Sequence, residues 1–214
     1  MRVENLPLFP LRTVLFPGMI LPLHIFEERY KRMIADCLAG DPRLGVALIS
    51  EGLEVGGPAQ VHDVGAVARI VRVGRYEDGR MDLITVGMQR FHVLEVNDEL
   101  PYLRATVEVL DDDVEERETL RAHALTVYEL LLQYREMLGL ANQETPWTPD
   151  EPEALSYVAG GLDLPLVEKQ SMLETRTVSA RLTKLAHALE REIQLFGLIG
   201  PTRPAPGPRG VPLN

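Results

Sequence analysis

Seven short apolar segments fill the first half of the chain and set what it can fold into: LPLFPL (6–11), MILPLHI (19–25), LGVALI (44–49), GAVARIVRV (65–73), RMDLITV (80–86), RFHVLEV (90–96) and YLRATVEVL (102–110). They are rich in Val, Ile and Leu and are separated by Gly, Pro, Asp or Asn, the pattern of strands and turns. A spacing of roughly ten residues suits a closed or partly closed antiparallel barrel. Glu77-Asp78-Gly79 marks a hairpin, because Asp-Gly readily supplies positive φ angles, and a tight connection around Met88 is expected between the next two strands. One helix interrupts the strands. In EERYKRMIADCLAG, the residues Tyr30, Met33, Ile34, Cys37 and Leu38 recur at helical spacing, and Gly40 reads as a left-handed stop.

The second half changes period. Leu120, Ala124, Val127, Leu131, Tyr134 and Leu138 alternate spacings of four and three, the seam of a helix that packs along another. Asp113 with Glu116, and Asp150 with Glu153, read as capping boxes at two helix starts, with Pro152 in the first turn of the second. A third helix is expected over about 165–174. A fourth runs from a Thr177 cap through Val178, Leu182, Leu185, Leu189, Ile193 and Phe196. The expected division is a β-rich domain over 1–110, a helical bundle over 111–200 and a disordered, Pro-rich tail over 201–214.

Composition narrows the function. Twenty-two Lys and Arg against 32 Asp and Glu give a net charge of -10, which repels phosphate backbones overall. Cys37 is the single cysteine, so an intrachain disulfide is impossible and a cytoplasmic location is expected. No run approaches the ~18 apolar residues needed to cross a bilayer. The five histidines, at 24, 62, 92, 123 and 187, form no helical i, i+4 pair, and no phosphate-binding loop is present. Ser171 and Lys169, two residues apart, fall on different helix faces and make no dyad. No catalytic residue, metal ligand or cofactor is therefore expected.

Three stretches carry a resemblance: LPLFPLRTVLFPGMILPLHIFEERYKRMI, then VGAVARIVRVGRYEDGRMDLITVGMQRFHVLEV with YLRATVEVLDD, then LDLPLVEKQSMLETRTVSARLTKLAHALEREI. In this order they resemble the LON substrate-binding domain family, the N-terminal domain of ATP-dependent Lon proteases that also occurs free-standing in bacteria. The resemblance implies an α+β fold, a PUA-like antiparallel β-barrel followed by a C-terminal helical bundle, and a role in recognising protein substrates. Lon proteases continue into an ATPase module and a serine–lysine peptidase. The chain matches neither, so it is expected to be no enzyme. Glu27, Arg29, Arg90, Lys169, Gln170, Glu174 and Arg181 match family positions and are expected to act as caps and as ion pairs between barrel and bundle. Phe26 and Tyr30 are expected to pin the first helix to the barrel.

The expected function is non-enzymatic binding of exposed apolar segments of unfolded or damaged polypeptides, which the protein hands to a protease as adaptor or regulator. The candidate peptide-binding residues are Tyr76, Met81, Ile84 and Met88, a strip of apolar side chains along one hairpin, rimmed by arginines. The alternative is an RNA-binding PUA-like barrel, suggested by Arg69, Arg72, Arg75 and Arg80 in that hairpin and opposed by the net charge. Neither a membrane nor a cofactor enters either reading.

Overall fold

The computed structural model describes residues 1–52, 54, 59–113, 115–142 and 145–199; the Pro-rich segment expected to be a tail lies outside them. The chain divides into two compact units, with the boundary between Asp111 and Asp112.

The first unit is a sheet with one helix. β1 (Arg2–Leu11), β2 (Ile20–Ile25), β3 (Arg43–Gly52), β4 (Ala59–Val61), β5 (Val64–Arg75), β6 (Met81–Asn97) and β7 (Leu103–Leu110) pair in the order β1-β7-β6-β5-β3, and β1 pairs in turn with β3. Five strands therefore close into a ring, within which each has a neighbour on both sides over part of its length. The closing β1–β3 ladder is parallel, whereas every other pairing is antiparallel, so the ring is not uniformly antiparallel. β2 lies outside the ring on β6, and β4, too short to register as an apolar period, pairs antiparallel with the end of β3. The helix α1 (Glu28–Ala39) buries Tyr30, Met33, Ile34 and Cys37 in one core with Phe9, Leu44, Ile70, Met81 and Leu83. Phe26 does not join it and is 42 % exposed. Gly40 ends α1 at φ -127, so the helix stops without a left-handed residue.

The expected turn at Met88 is absent. Residues 81–97 are one 17-residue strand, with Gly87, Met88 and Gln89 in its interior. One edge of β6 pairs with β5 along most of its length; the other edge is shared, residues 81–86 with β2 and 90–97 with β7. A strand changes partners in mid-course only if it bends there. On β6, Arg90 opposes Ala66 and Gly87 opposes Ala68, so Met88 and Gln89 together face Val67, a β-bulge. Gly87 also donates to the Met19 carbonyl and accepts from the Gly18 amide, both at 2.8 Å.

The second unit is helical: α2 (Arg117–Met137), α3 (Pro152–Ser156), a 3-10 turn at Val158–Gly161, α4 (Leu166–Glu174) and α5 (Val178–Ile199). The α2 seam buries Leu120, Ala124, Val127, Leu131 and Tyr134 as its spacing predicts, and Tyr134 meets Phe196 of α5 edge-on at 6.1 Å. Neither expected capping box forms. α2 starts only at Arg117, and Asp113 pairs with Arg176 at 3.4 Å; α3 begins at Pro152 with no side-chain cap. The carboxylate of Glu115 instead accepts from the Ser179 amide (3.0 Å) and from its hydroxyl, satisfying the first turn of α5 from a distant segment.

Arg181, fully buried, is the centre of this unit. Its two Nη atoms donate to the two carboxylate oxygens of Asp112 at 2.7 Å each, its Nε to Ser156 Oγ at 3.1 Å, and Nη1 also to the Thr175 carbonyl at 2.9 Å, while the guanidinium lies 4.7 Å from the Tyr157 ring centroid. Lys169 donates to the Gly160 carbonyl, and Gln170 to Glu174. Glu27 and Arg29 pair with each other at 3.1 Å. These ion pairs and hydrogen bonds lie within single units.

Two stability effects are expected. A Cβ on Gly87 would stand 2.1 Å from the Phe16 carbonyl oxygen, so Gly87→Ala should cost on the order of 3 kcal/mol or prevent folding, read from urea unfolding of the β-rich unit by near-ultraviolet dichroism. Asp112→Asn leaves Arg181 buried without its counter-charge and should cost about 3 kcal/mol, read from loss of helical dichroism on heating; an unchanged midpoint would contradict the role given to the pair.

Candidate functional site

Cross-strand register defines the outer face of β2, β6 and β5. Ile20 opposes Val86, which opposes Arg69; Pro22 opposes Ile84, which opposes Arg72; His24 opposes Asp82, which opposes Gly74. Directly opposed residues share a face, so these rows put Ile20, Pro22, Ile84 and Val86 side by side, away from the core. Ile20 is 62 % exposed, and Val71, in a second bulge of β5, is 55 % exposed. The next residue in the outward alternation of β6 is Met88, exposed at the bulge.

At the hairpin end the face becomes polar and aromatic. Asp82 accepts from the Tyr76 hydroxyl and bonds His24 Nδ1 at 2.7 Å. His24 lies between Phe26 and Tyr76, with ring centroids at 6.1 and 6.2 Å, and Arg80 sits over the Tyr76 ring while pairing with Asp78 at 2.6 Å. The bonds from His24 and Tyr76 hold the Asp82 carboxyl below the usual carboxylate range, and the bond to Asp82 raises the Tyr76 phenol.

Of the four residues expected to bind, Tyr76, Ile84 and Met88 point outward on this face, and Met81 does not. Met81 is 5 % exposed and packs with Leu83 in the core, because the inward row of β6 is Met81, Leu83 and Thr85. Ile20, Pro22 and Val86 take its place. Strand alternation signalled two rows in RMDLITV; the neighbours supplied by β2 depend on a pairing between segments about sixty residues apart, which no local pattern reveals.

Cys37 and Ser171, the two nucleophiles weighed in the sequence, sit in settings that quiet them. Burial pushes the Cys37 thiol up to about 11, and its Sγ donates to the Arg43 carbonyl. Ser171 does meet a lysine, Lys184, whose Nζ lies 2.8 Å from its Oγ; that Nζ also donates to the Ser171 carbonyl and to Thr175 Oγ1. Three acceptors occupy the three ammonium protons, which makes Lys184 a clasp on the end of α4 and not a base for the serine. Among the described residues no three His, Cys, Asp or Glu side chains gather as a metal site, and no helix is long and apolar enough to cross a membrane.

A family model, the ATP-dependent protease La (LON) substrate-binding domain, matches residues 5–191. The chain is 33 % identical over 202 residues to the Lon protease of Dictyoglomus thermophilum, covering 90 % of this chain and 25 % of that protein. It is 30 % identical over 204 residues to Lon protease 2 of Myxococcus xanthus, covering 91 % and 24 %. It thus spans about a quarter of the length of the curated relatives it matches. Among solved structures, a Lon N-terminal domain protein from Xanthomonas campestris superposes with a TM-score of 0.65 at 27 % identity, covering 86 % of this chain and 98 % of that one. The N-terminal domain of Mycobacterium avium complex Lon protease, at 23 % identity, gives 0.67 over 87 % and 98 % and shares the fold.

The Tyr76–Asp82 bond predicts an ultraviolet titration. The phenol contribution that disappears in Tyr76→Phe should titrate above the ordinary tyrosine range in the parent and return to that range in Asp82→Asn; equal titration in both backgrounds would contradict the bond.

Proposed function

The chain belongs to the LON substrate-binding domain family, and from that premise we propose that it binds segments of unfolded polypeptide on the outer face of β2, β6 and β5. The observation that carries this reading is the run of apolar side chains, Ile20, Pro22, Val71, Ile84, Val86 and Met88, on strands whose opposite face already fills the core. Apolar surface kept in water gains most from burial against a partner, at roughly 25 cal/mol per Å² covered. Met88 and the aromatic pair Phe26 and Tyr76 widen the range of side chains the face accommodates, because thioethers and rings adapt to many shapes.

The protein's own contribution is binding, and a protease of the Lon type is the partner to which bound segments would pass. The family match lies in the substrate-binding domain, which supports a role in binding. A cytoplasmic location agrees with the single, unpaired Cys37. The RNA-binding alternative gains no support from the family or from the solved structures.

The test is capture of a permanently unfolded polypeptide, reduced and carboxymethylated α-lactalbumin, by the immobilised chain. Changing Ile20, Tyr76 and Met88 together to Ser should weaken capture at least about fivefold, the loss of a fraction of the ~1.4 kcal/mol that separates tenfold affinities. The thermal midpoint should move by only a few degrees, since all three are exposed. Unchanged capture would overturn the reading. Capture abolished by moderate salt and restored by competing RNA removal would favour the phosphate-binding alternative instead.

A further inference from the structure

The hairpin of β5 and β6 has one open edge. β3 begins at Arg43, level with Arg69, and the last contact on that side of β5 is the Ile70 amide donating to the Pro42 carbonyl at 2.9 Å. Beyond it, β5 continues to Arg75 with β6 on its other side alone. The phase of the ladder is set by the Tyr76 amide donating to the Arg80 carbonyl at 2.9 Å. Alternation then turns the main-chain groups of Gly74 and Arg72 toward β6, and those of Val73 and Arg75 outward. Among the described residues nothing occupies this place in the sheet.

The contrasting edge is that of β2. The Gly87 amide reaches the Met19 carbonyl, so the outward main-chain groups of β2 belong to Ile20, Pro22 and His24. Pro22, in the middle, has no N–H, and an edge interrupted in this way does not template another strand. One free edge is blunted and the other is open.

The open edge also has a charge. Arg72 and Arg75 are exposed and no described carboxylate pairs with either, in a chain of net charge -10; Arg72, opposite Ile84, stands with Arg69 on the outer face, whereas Arg75, opposite Met81 and 3.8 Å from its sulfur, stands on the other. Val71, bulged and exposed, stands beside Arg72.

We propose that a polypeptide segment with alternating apolar and acidic residues docks here as an added strand, hydrogen-bonded to Val73 and Arg75 in the place that β3 leaves vacant. Its apolar residues extend the outer face beside Val71 and Arg72, and its carboxylates, on the opposite face, meet Arg75. The inference rests on the reading of that face as a polypeptide-binding surface and names the backbone contact and substrate class within it.

The experiment uses the full chain and a fluorescent synthetic peptide of about ten residues, alternating valine or phenylalanine with aspartate or glutamate. Two further copies are N-methylated, one on each alternate set of amides. An added strand presents only one set to β5, so one methylated copy should lose at least about fivefold in affinity while the other binds like the parent. Arg75→Glu should weaken the acidic peptide and strengthen a lysine-bearing counterpart, and Arg72→Glu, on the face of the apolar set, should do so less. Val73→Pro should abolish binding; if it also disturbs folding, the methylated peptides answer the same question on unaltered protein. Equal binding of both methylated copies, equal loss by both, or no binding of the parent peptide would each overturn the edge proposal. If carboxymethylated α-lactalbumin is still captured in any of those cases, the outer-face reading survives; if it is not, both fail.

Discussion

The β-rich unit depends on one strand being shared three ways. β6 gives one edge to β5 and divides the other between β2 and β7, and that division requires the bend at Met88 and Gln89. The bend is clamped where the loop ahead of β2 crosses Gly87, close enough that its main-chain N–H and C=O bond Met19 and Gly18 and a methyl group would strike Phe16. Without the bend, β6 could keep β2 or β7 but not both. The ring would open or the outer face would lose the strand that carries Ile20 and Pro22.

The helical unit is organised by a different force. Arg181 removes a full charge from water, a cost offset here by one bidentate carboxylate, a hydroxyl and two carbonyls. The acceptors come from Asp112 in the segment leading to α2, the end of α3 and the link between α4 and α5. Short helices with little apolar face of their own are thereby held in one arrangement, which apolar packing, indifferent to direction, does not specify.

Periodicity made the two halves legible: strands at roughly ten-residue intervals, then seams of period between three and four. What stayed hidden depends on distant partners. Gly87-Met88-Gln89 has the composition of a turn, and it becomes a bulge because β7 and β2 both claim β6. RMDLITV announces two faces, but only α1, with Tyr30 and Met33 packed beneath the sheet, decides that Met81 goes in and Ile84 out. Arg181 is buried because the groups that receive its guanidinium come from segments far apart in the chain, which no local window shows. Glu115 looks like part of the start of α2 and serves α5, sixty-four residues away.

The burial of Cys37 has a consequence for sulfur chemistry. With its pKa pushed to about 11, only about one thiol in ten thousand is ionised at neutral pH, and the thiolate is the form that peroxides attack. Burial and the raised pKa both disfavour oxidation at the cysteine, which leaves the exposed thioethers as the more accessible sulfur. Met33, Met81 and Met172 are enclosed, while Met88 stands in solvent on the outer face, where conversion to a sulfoxide turns an adaptable apolar contact into a polar one. Among the described methionines Met88 is thus an exposed one whose oxidation would change the character of the outer face without touching the core.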